Sequence, residues 1–110
     1  MGDPAGEGKH LVVYITTPRE IAAGLSRQLV EEKLVACANI IEQVRSIYRW
    51  KGKICDEPEA LLVLKTRREL FEAMRQRVVE LHPYDVPEVI ALPMVAAHMP
   101  YAAWIDEVTR

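Results

Sequence analysis

Ala60-Leu61-Leu62-Val63-Leu64-Lys65-Thr66-Arg67-Arg68-Glu69-Leu70 runs an unbroken apolar stretch into a threonine with a glutamate three positions later. A continuous apolar run of this length fits a central strand covered on both faces. Thr-x-x-Glu is the signature of a helix start, with the hydroxyl reaching forward to a backbone N–H and the carboxylate reaching back. The same pair of signals occurs once earlier. His10 to Thr16 is a β-branched and aromatic run, and Thr17-Pro18-Arg19-Glu20 follows it, with Pro18 at the first helical position. Two copies of strand-then-helix set the frame of the fold.

Working outward, each copy continues in the same way. After Thr17, Ile21, Leu25 and Leu29 recur along one helix face, with Ala22 and Val30 beside it. Gly24 costs that helix roughly 1 kcal/mol against alanine, a cost that a close packing contact would explain. Ala36 to Trp50 reads as the second strand, with alternation that slips near Gln43 and so predicts a bulge. Lys51-Gly52 is a turn and Lys53 to Thr66 the returning third strand, in which Pro58 demands an edge or another bulge. After Thr66, Leu70, Met74 and Val78 form an apolar stripe with Phe71 beside it, and the helix ends at His82-Pro83. Val89 to Val95 is the fourth strand, its end placed at an edge by Pro93. Pro100 opens a last helix, with Tyr101, Trp104, Ile105 and Val108 on one face.

The order is β-α-β-β-α-β with a short final helix. This is the split βαβ, ferredoxin-like pattern of the α+β class. One length does not suit a monomer. Strands of about 14 residues at ~3.3 Å per residue run roughly 45 Å, whereas a domain of this size is ~34 Å across. The hairpin should overhang its own domain. Its far end carries Tyr48 and Trp50, and an exposed apolar arm predicts self-association.

Composition bounds the rest. The 110 residues, half of them hydrophobic, make one domain over 10–110 behind a tail over 1–9 that reads as disordered. A net charge of −2 offers no footprint for nucleic acid, and no apolar run is long enough to span a membrane. The first residues hold no apolar export segment, and there are two cysteines, so a reducing cytoplasm is expected.

Polar groups and backbone stiffness coincide at His82-Pro83-Tyr84-Asp85-Val86-Pro87-Glu88. The two prolines fix φ and push the residues before them toward extended geometry, so little entropy remains to be lost when side chains are positioned there. No enzyme signature accompanies this loop. Glycines are too few for a phosphate cradle, and neither His-Glu-x-x-His nor a nucleophile elbow occurs. The expectation is a protein that is not an enzyme and needs no organic cofactor.

Several separate motifs carry a resemblance. Ala36-Cys37-Ala38-Asn39-Ile40-Ile41, Ser46 to Lys53 (SIYRWKGK), Leu64-Lys65-Thr66-Arg67, His82-Pro83-Tyr84 and Pro87 to Pro93 (PEVIALP), with Tyr101 and Trp104, resemble the CutA family of divalent-cation tolerance proteins, in order and spacing. The resemblance covers the chain from about Leu11 to Thr109. It implies a PII-like homotrimer and a role in copper tolerance, with Cu(II) or another divalent cation as the metal. It implies Cys37 and His82 as metal ligands, a thiolate and an imidazole that suit copper. Thr16 and Leu81 stand where some relatives carry further Cys and His ligands. Each candidate ligand also has a structural reading. Cys37 can pack as a small hydrophobe at a strand start, and His82 can complement a helix C-terminus. The resemblance further implies a cleft between subunits lined by Tyr48, Trp50, Lys65, Tyr84, Glu88 and Trp104. Lys65, ending an apolar strand, needs a carboxylate, and Glu88 is the expected partner. Aromatic walls with an ion pair describe a small-ligand pocket, and equally the aromatic anchors of an interface.

Overall fold

The computed structural model describes residues 8–110. Residues 1–7, most of the expected tail, lie outside the described residues. The elements are β1 (His10–Thr17), α1 (Ala22–Glu31), β2 (Cys37–Trp50), β3 (Lys53–Arg67), α2 (Phe71–Leu81), β4 (Val89–Pro93) and α3 (Met99–Val108). The four strands form one antiparallel sheet in the order β2-β3-β1-β4. This is the expected ferredoxin-like α+β fold.

Period-two alternation sorts the sheet residues into two faces. Leu11, Val13 and Ile15 of β1 and Ala60, Leu62 and Leu64 of β3 are buried with Leu25 and Leu29 of α1 and Met74 and Val78 of α2. Each of these side chains larger than alanine contributes about 1.5–3 kcal/mol when fully buried. The opposite face carries Val12, Tyr14, Leu61, Val63, Ile90 and Leu92, paired strand to strand. Ile90 and Leu92 remain about half exposed there.

The helix starts differ from the capping boxes expected at Thr17 and Thr66. Both threonines are fully buried members of strands. Thr17 Oγ1 donates to the Pro18 carbonyl at 2.9 Å and Thr66 Oγ1 to the Leu34 carbonyl at 2.7 Å, and neither hydroxyl caps a helix N–H. Short 3-10 turns, Arg19–Ile21 and Arg68–Leu70, lead into α1 and α2 instead. Gly24 does not mark a close contact, since a Cβ built on it meets nothing within 4 Å.

The last helix is rotated from its expected face. Ala102 and Ile105 are buried, whereas Tyr101 and Trp104 stay 38% and 39% exposed and stack on each other at 5.4 Å. Polar contacts tie α3 to the sheet: His10 Nε2 to Asp106 at 2.8 Å and Arg67 Nε to Thr109 Oγ1 at 2.8 Å. These contacts turn its aliphatic side inward and leave the aromatic pair outside.

The hairpin overhangs as expected. β1 stops where Thr17 pairs with Ala60, so Val44–Trp50 and Lys53–Glu59 pair only with each other. The molecule measures 49 × 27 × 22 Å, the long axis well beyond what a compact domain needs. Pro58 sits in this arm, where β3 has a neighbour on one side alone. Lys51 and Gly52 form the tip with φ of 51° and 78°, the positive pair that a two-residue hairpin turn requires. The bulge falls at Glu42 and Gln43, two residues facing Ala60 alone. It also shifts the register beneath it, so Cys37 pairs with Lys65, whereas an unbroken ladder running back from Trp50 and Lys53 would put it opposite Thr66.

Candidate functional site: a cleft at the base of the arm

The bulge decides which side chains the arm presents. Cross-strand partners share a face, so Cys37, Asn39 and Ile41 lie on the open face of the sheet with Lys65, Val63 and Leu61. Across Glu42-Gln43 the parity of β2 changes. Val44, Ser46, Tyr48 and Trp50 then occupy that same face, opposite Glu59, Glu57, Cys55 and Lys53.

The other wall comes from the segment after α2. His82 leaves the helix in extended geometry, as the residue before Pro83 must. Its ring is almost fully buried. Nε2 lies 2.8 Å from the Thr16 carbonyl and must donate, and Nδ1 accepts from the Tyr84 N–H at 3.1 Å. Both nitrogens of this neutral tautomer are therefore engaged in pinning the loop to the end of β1. The Tyr84 ring lies 4.7 Å from that of His82, and its Oη donates to Glu59 Oε2 at 2.8 Å. Tyr48 makes a parallel contact, donating to Glu57 Oε1 at 2.7 Å.

Between the walls lies a cleft of about 590 Å³, lined among others by Tyr48, Trp50, Glu59, Tyr84, Asp85 and Glu88. Glu59 is 4% exposed and has no ion-pair partner among the described residues. Burial first, then the bond to Glu59, pushes the Tyr84 phenol up to about 12, and the charges of Glu59, Glu57 and Glu20 act in the same direction. The Tyr48 phenol is also pushed up, chiefly by its bond to Glu57.

Of the expected cleft residues, Tyr48, Trp50, Tyr84 and Glu88 come together. Lys65 and Trp104 do not. Lys65 pairs with Val12, near the opposite end of β1, and its ammonium bonds Asn39 Oδ1, so the expected Lys65–Glu88 pair does not form. Trp104 stays with Tyr101 on α3. The structure also keeps Cys37 and His82 apart. Cys37 pairs with Lys65 and so lies level with Val12, while His82 bonds Thr16, four residues or about 13 Å further along β1. Cys37 Sγ lies 3.6 Å from Tyr101 Oη, and Cys55 sits opposite Tyr48, both thiols free. Among the described residues no three His, Cys, Asp or Glu side chains are grouped to hold a metal ion.

Sequence reasoning missed Glu59, the most buried polar group of the cleft. A signal was present. Counting back by two from Lys65, Val63 and Leu61 puts Glu59 on the open face, just past the point where an eight-residue β1 runs out.

Comparison with known proteins places this geometry. The model of the CutA1 divalent ion tolerance protein family matches residues 11–108. Divalent-cation tolerance protein CutA of Thermus thermophilus is 44% identical over 99 residues, 89% of this chain and 96% of that protein. The chloroplastic protein CutA of Arabidopsis thaliana is 45% identical over 101 residues, 91% of this chain, which spans 56% of that protein's length. The crystal structure of CutA1 from Oryza sativa superposes with a TM-score of 0.89 at 42% identity, covering 93% of this chain and 94% of the other. Sequence and overall fold agree over nearly all of the described residues, and the chain belongs to the CutA1 divalent ion tolerance family.

Proposed function

We propose that the chain serves divalent-cation tolerance as a homotrimeric binding module in the cytoplasm, not as an enzyme. In this reading each cleft at Glu59 and Tyr84 is a ligand site of PII-like, regulatory type. One observation carries it: a buried carboxylate with no cationic partner among the described residues stands at the base of a cleft walled by Tyr48 and Trp50 of the arm and by Tyr84 on the stiff loop. Such a group calls for a ligand. Assembly is supported by the uncovered sheet face and by the arm, where Ile47 and Ile54 are each 62% exposed. Two free cysteines favour a reducing compartment. The imidazole of His82, with both nitrogens engaged, is poorly placed for proton transfer.

Copper, the cation first expected, does not fit a site within one subunit, because Cys37 and His82 are apart and His82 has no free nitrogen. The half-buried Cys37 thiol on the open sheet face favours a second reading. In it Cu(II) or another divalent cation is held between subunits by Cys37 and groups across the interface.

A titration of metal-free protein with copper against a competing chelator tests both, run on the wild type, Cys37→Ser, His82→Ala and Glu59→Gln. Binding that needs Glu59 supports the cleft. Binding that needs Cys37 and ignores Glu59 supports the inter-subunit reading. Light scattering that reports a monomer sinks the assembly.

A further inference from the structure

We propose that the cleft takes an organic cation, an alkylammonium or guanidinium group carried on a small molecule, with Glu59 as its counter-ion. The proposal rests on the reading of the cleft as a ligand site and adds the chemistry of the ligand.

Charge is the first argument. Glu59 is 4% exposed, and its one hydrogen bond among the described residues is the bond that Oε2 accepts from Tyr84. Oε1 has no partner there. With one neutral donor on Oε2 and Oε1 open to solvent rather than to a protein donor, this carboxylate has room for a further partner. The lining around it supplies none. It adds Asp85 and Glu88 and includes no lysine, arginine or histidine. The charges that bear on the neighbouring Tyr84 phenol, from Glu59, Glu57 and Glu20, are all negative. The cleft is built for a positive guest.

The walls decide what kind. Tyr48, Trp50 and Tyr84 present three aromatic side chains to the cleft, and ring faces attract ammonium and guanidinium groups, most strongly when these are poorly hydrated. Trp50 already draws one such group, since Lys51 Nζ lies 5.9 Å from its ring centroid, although Lys51 does not line the cleft. A bare divalent ion needs several converging oxygen, nitrogen or sulfur ligands, and the described residues offer no such cluster. Rings give a hard hydrated ion nothing to bind. They give an alkylammonium both a π face and apolar contact. A volume of about 590 Å³ is within the range of small-molecule sites.

The test is calorimetric titration of the full chain in its native assembly with diaminobutane, tetramethylammonium and arginine amide, at constant ionic strength. Magnesium, copper and acetate salts are run in parallel. Saturable binding of the organic cations is expected, weakened by about tenfold or more in Glu59→Gln and less in Trp50→Ala. Asp85→Asn, on the exposed loop, provides a second acidic variant should Glu59→Gln fail to fold, and a loss of affinity there also supports the proposal. Glu59-dependent binding of metal salts without any response to the organic cations overturns the proposal and leaves the cleft reading standing. Silence toward every probe overturns both. Failure of the organic cations to bind, with dissociation of the assembly in Glu59→Gln, also overturns it, because the counter-ion then comes from a neighbouring subunit.

Discussion

Tyr84 donates a 2.8 Å hydrogen bond to Glu59, 25 residues earlier in the chain, and so ties the loop after α2 to the base of the arm. The two partners are unequal. Glu59 is buried and Tyr84 is 38% exposed, so removing the hydroxyl strands a buried acceptor, whereas removing the charge does not. Tyr84→Phe should lower stability by about 1–3 kcal/mol, read as a shift of the urea midpoint. Glu59→Gln keeps an oxygen to accept the bond and should cost clearly less. An equal or reversed ranking would show that this contact does not hold the loop.

The same contact has a pH signature. The Tyr84 phenol is raised from 10.0 to about 12, first by burial and then by Glu59. The protonated form is the one the fold favours. Its contribution to stability is therefore complete below pH 10 and is lost as pH rises toward and through about 12. NMR of ring-labelled tyrosine should show Tyr84 still protonated where an ordinary phenol is half ionised. In Glu59→Gln its value should fall but stay above 10, because burial remains. Tyr101, raised to about 12 chiefly by its bond to Cys37, should respond to Cys37→Ala and ignore Glu59→Gln. A Tyr84 that titrates normally in the wild type would remove the buried environment argued here.

How much of this was legible depends on whether a signal was local. The element order followed from apolar runs and helical periodicity, and the hairpin overhang from counting residues against domain size. Pro58, Pro83 and Pro93 each marked an edge or an end correctly, because proline acts on its own backbone. The two Thr-x-x-Glu motifs named the right helices for the wrong reason. Thr17 and Thr66 are still inside strands, and their hydroxyls bond the carbonyls of Pro18 and Leu34 instead of capping a helix. Tyr48, Trp50, Tyr84 and Glu88 were placed together through resemblance. Lys65 stands apart from Glu88 within the subunit, because their separation depends on sheet order and register together. Glu59 escaped because Glu57-Pro58-Glu59 looks like any solvated hairpin segment until Tyr84 folds over it.

The bulge at Glu42-Gln43 makes the cleft possible, and deleting Gln43 removes it. The shortened β2 must then either turn Cys37, Asn39 and Ile41 into the core or turn Tyr48 and Trp50 to the far face of the arm, since a one-residue slip exchanges faces. Burying Asn39 without partners is the costlier choice, and beyond its base, where Tyr84 bonds Glu59, the arm pairs with no third strand. The deletion should therefore keep the subunit folded while removing Tyr48 and Trp50 from the cleft. Labelled-tyrosine NMR should then show Tyr48 released from Glu57, and light scattering a loss of assembly. Gln43→Ala, which keeps the bulge, should change neither. A deletion variant with wild-type Tyr48 behaviour and mass would mean that the arm's facing is set elsewhere.

Gly24 and Gly52 separate conformation from packing, because a Cβ added to either meets nothing within 4 Å. Gly24 lies exposed within α1, where alanine is the better helix former by about 1 kcal/mol. Gly24→Ala should therefore stabilise the fold by about 0.5–1 kcal/mol, largely by restricting the unfolded chain. Gly52, with φ of 78° at the arm's tip, is in the left-handed region that costs an L residue about 1–2 kcal/mol. Gly52→Ala should destabilise by about that amount, and more weakly in global unfolding if the tip frays before the core does. Thermal and urea unfolding of the two variants should move in opposite directions. If Gly24→Ala destabilises, the exposed face of α1 is covered in the assembly, and the glycine marks a contact between subunits rather than within one.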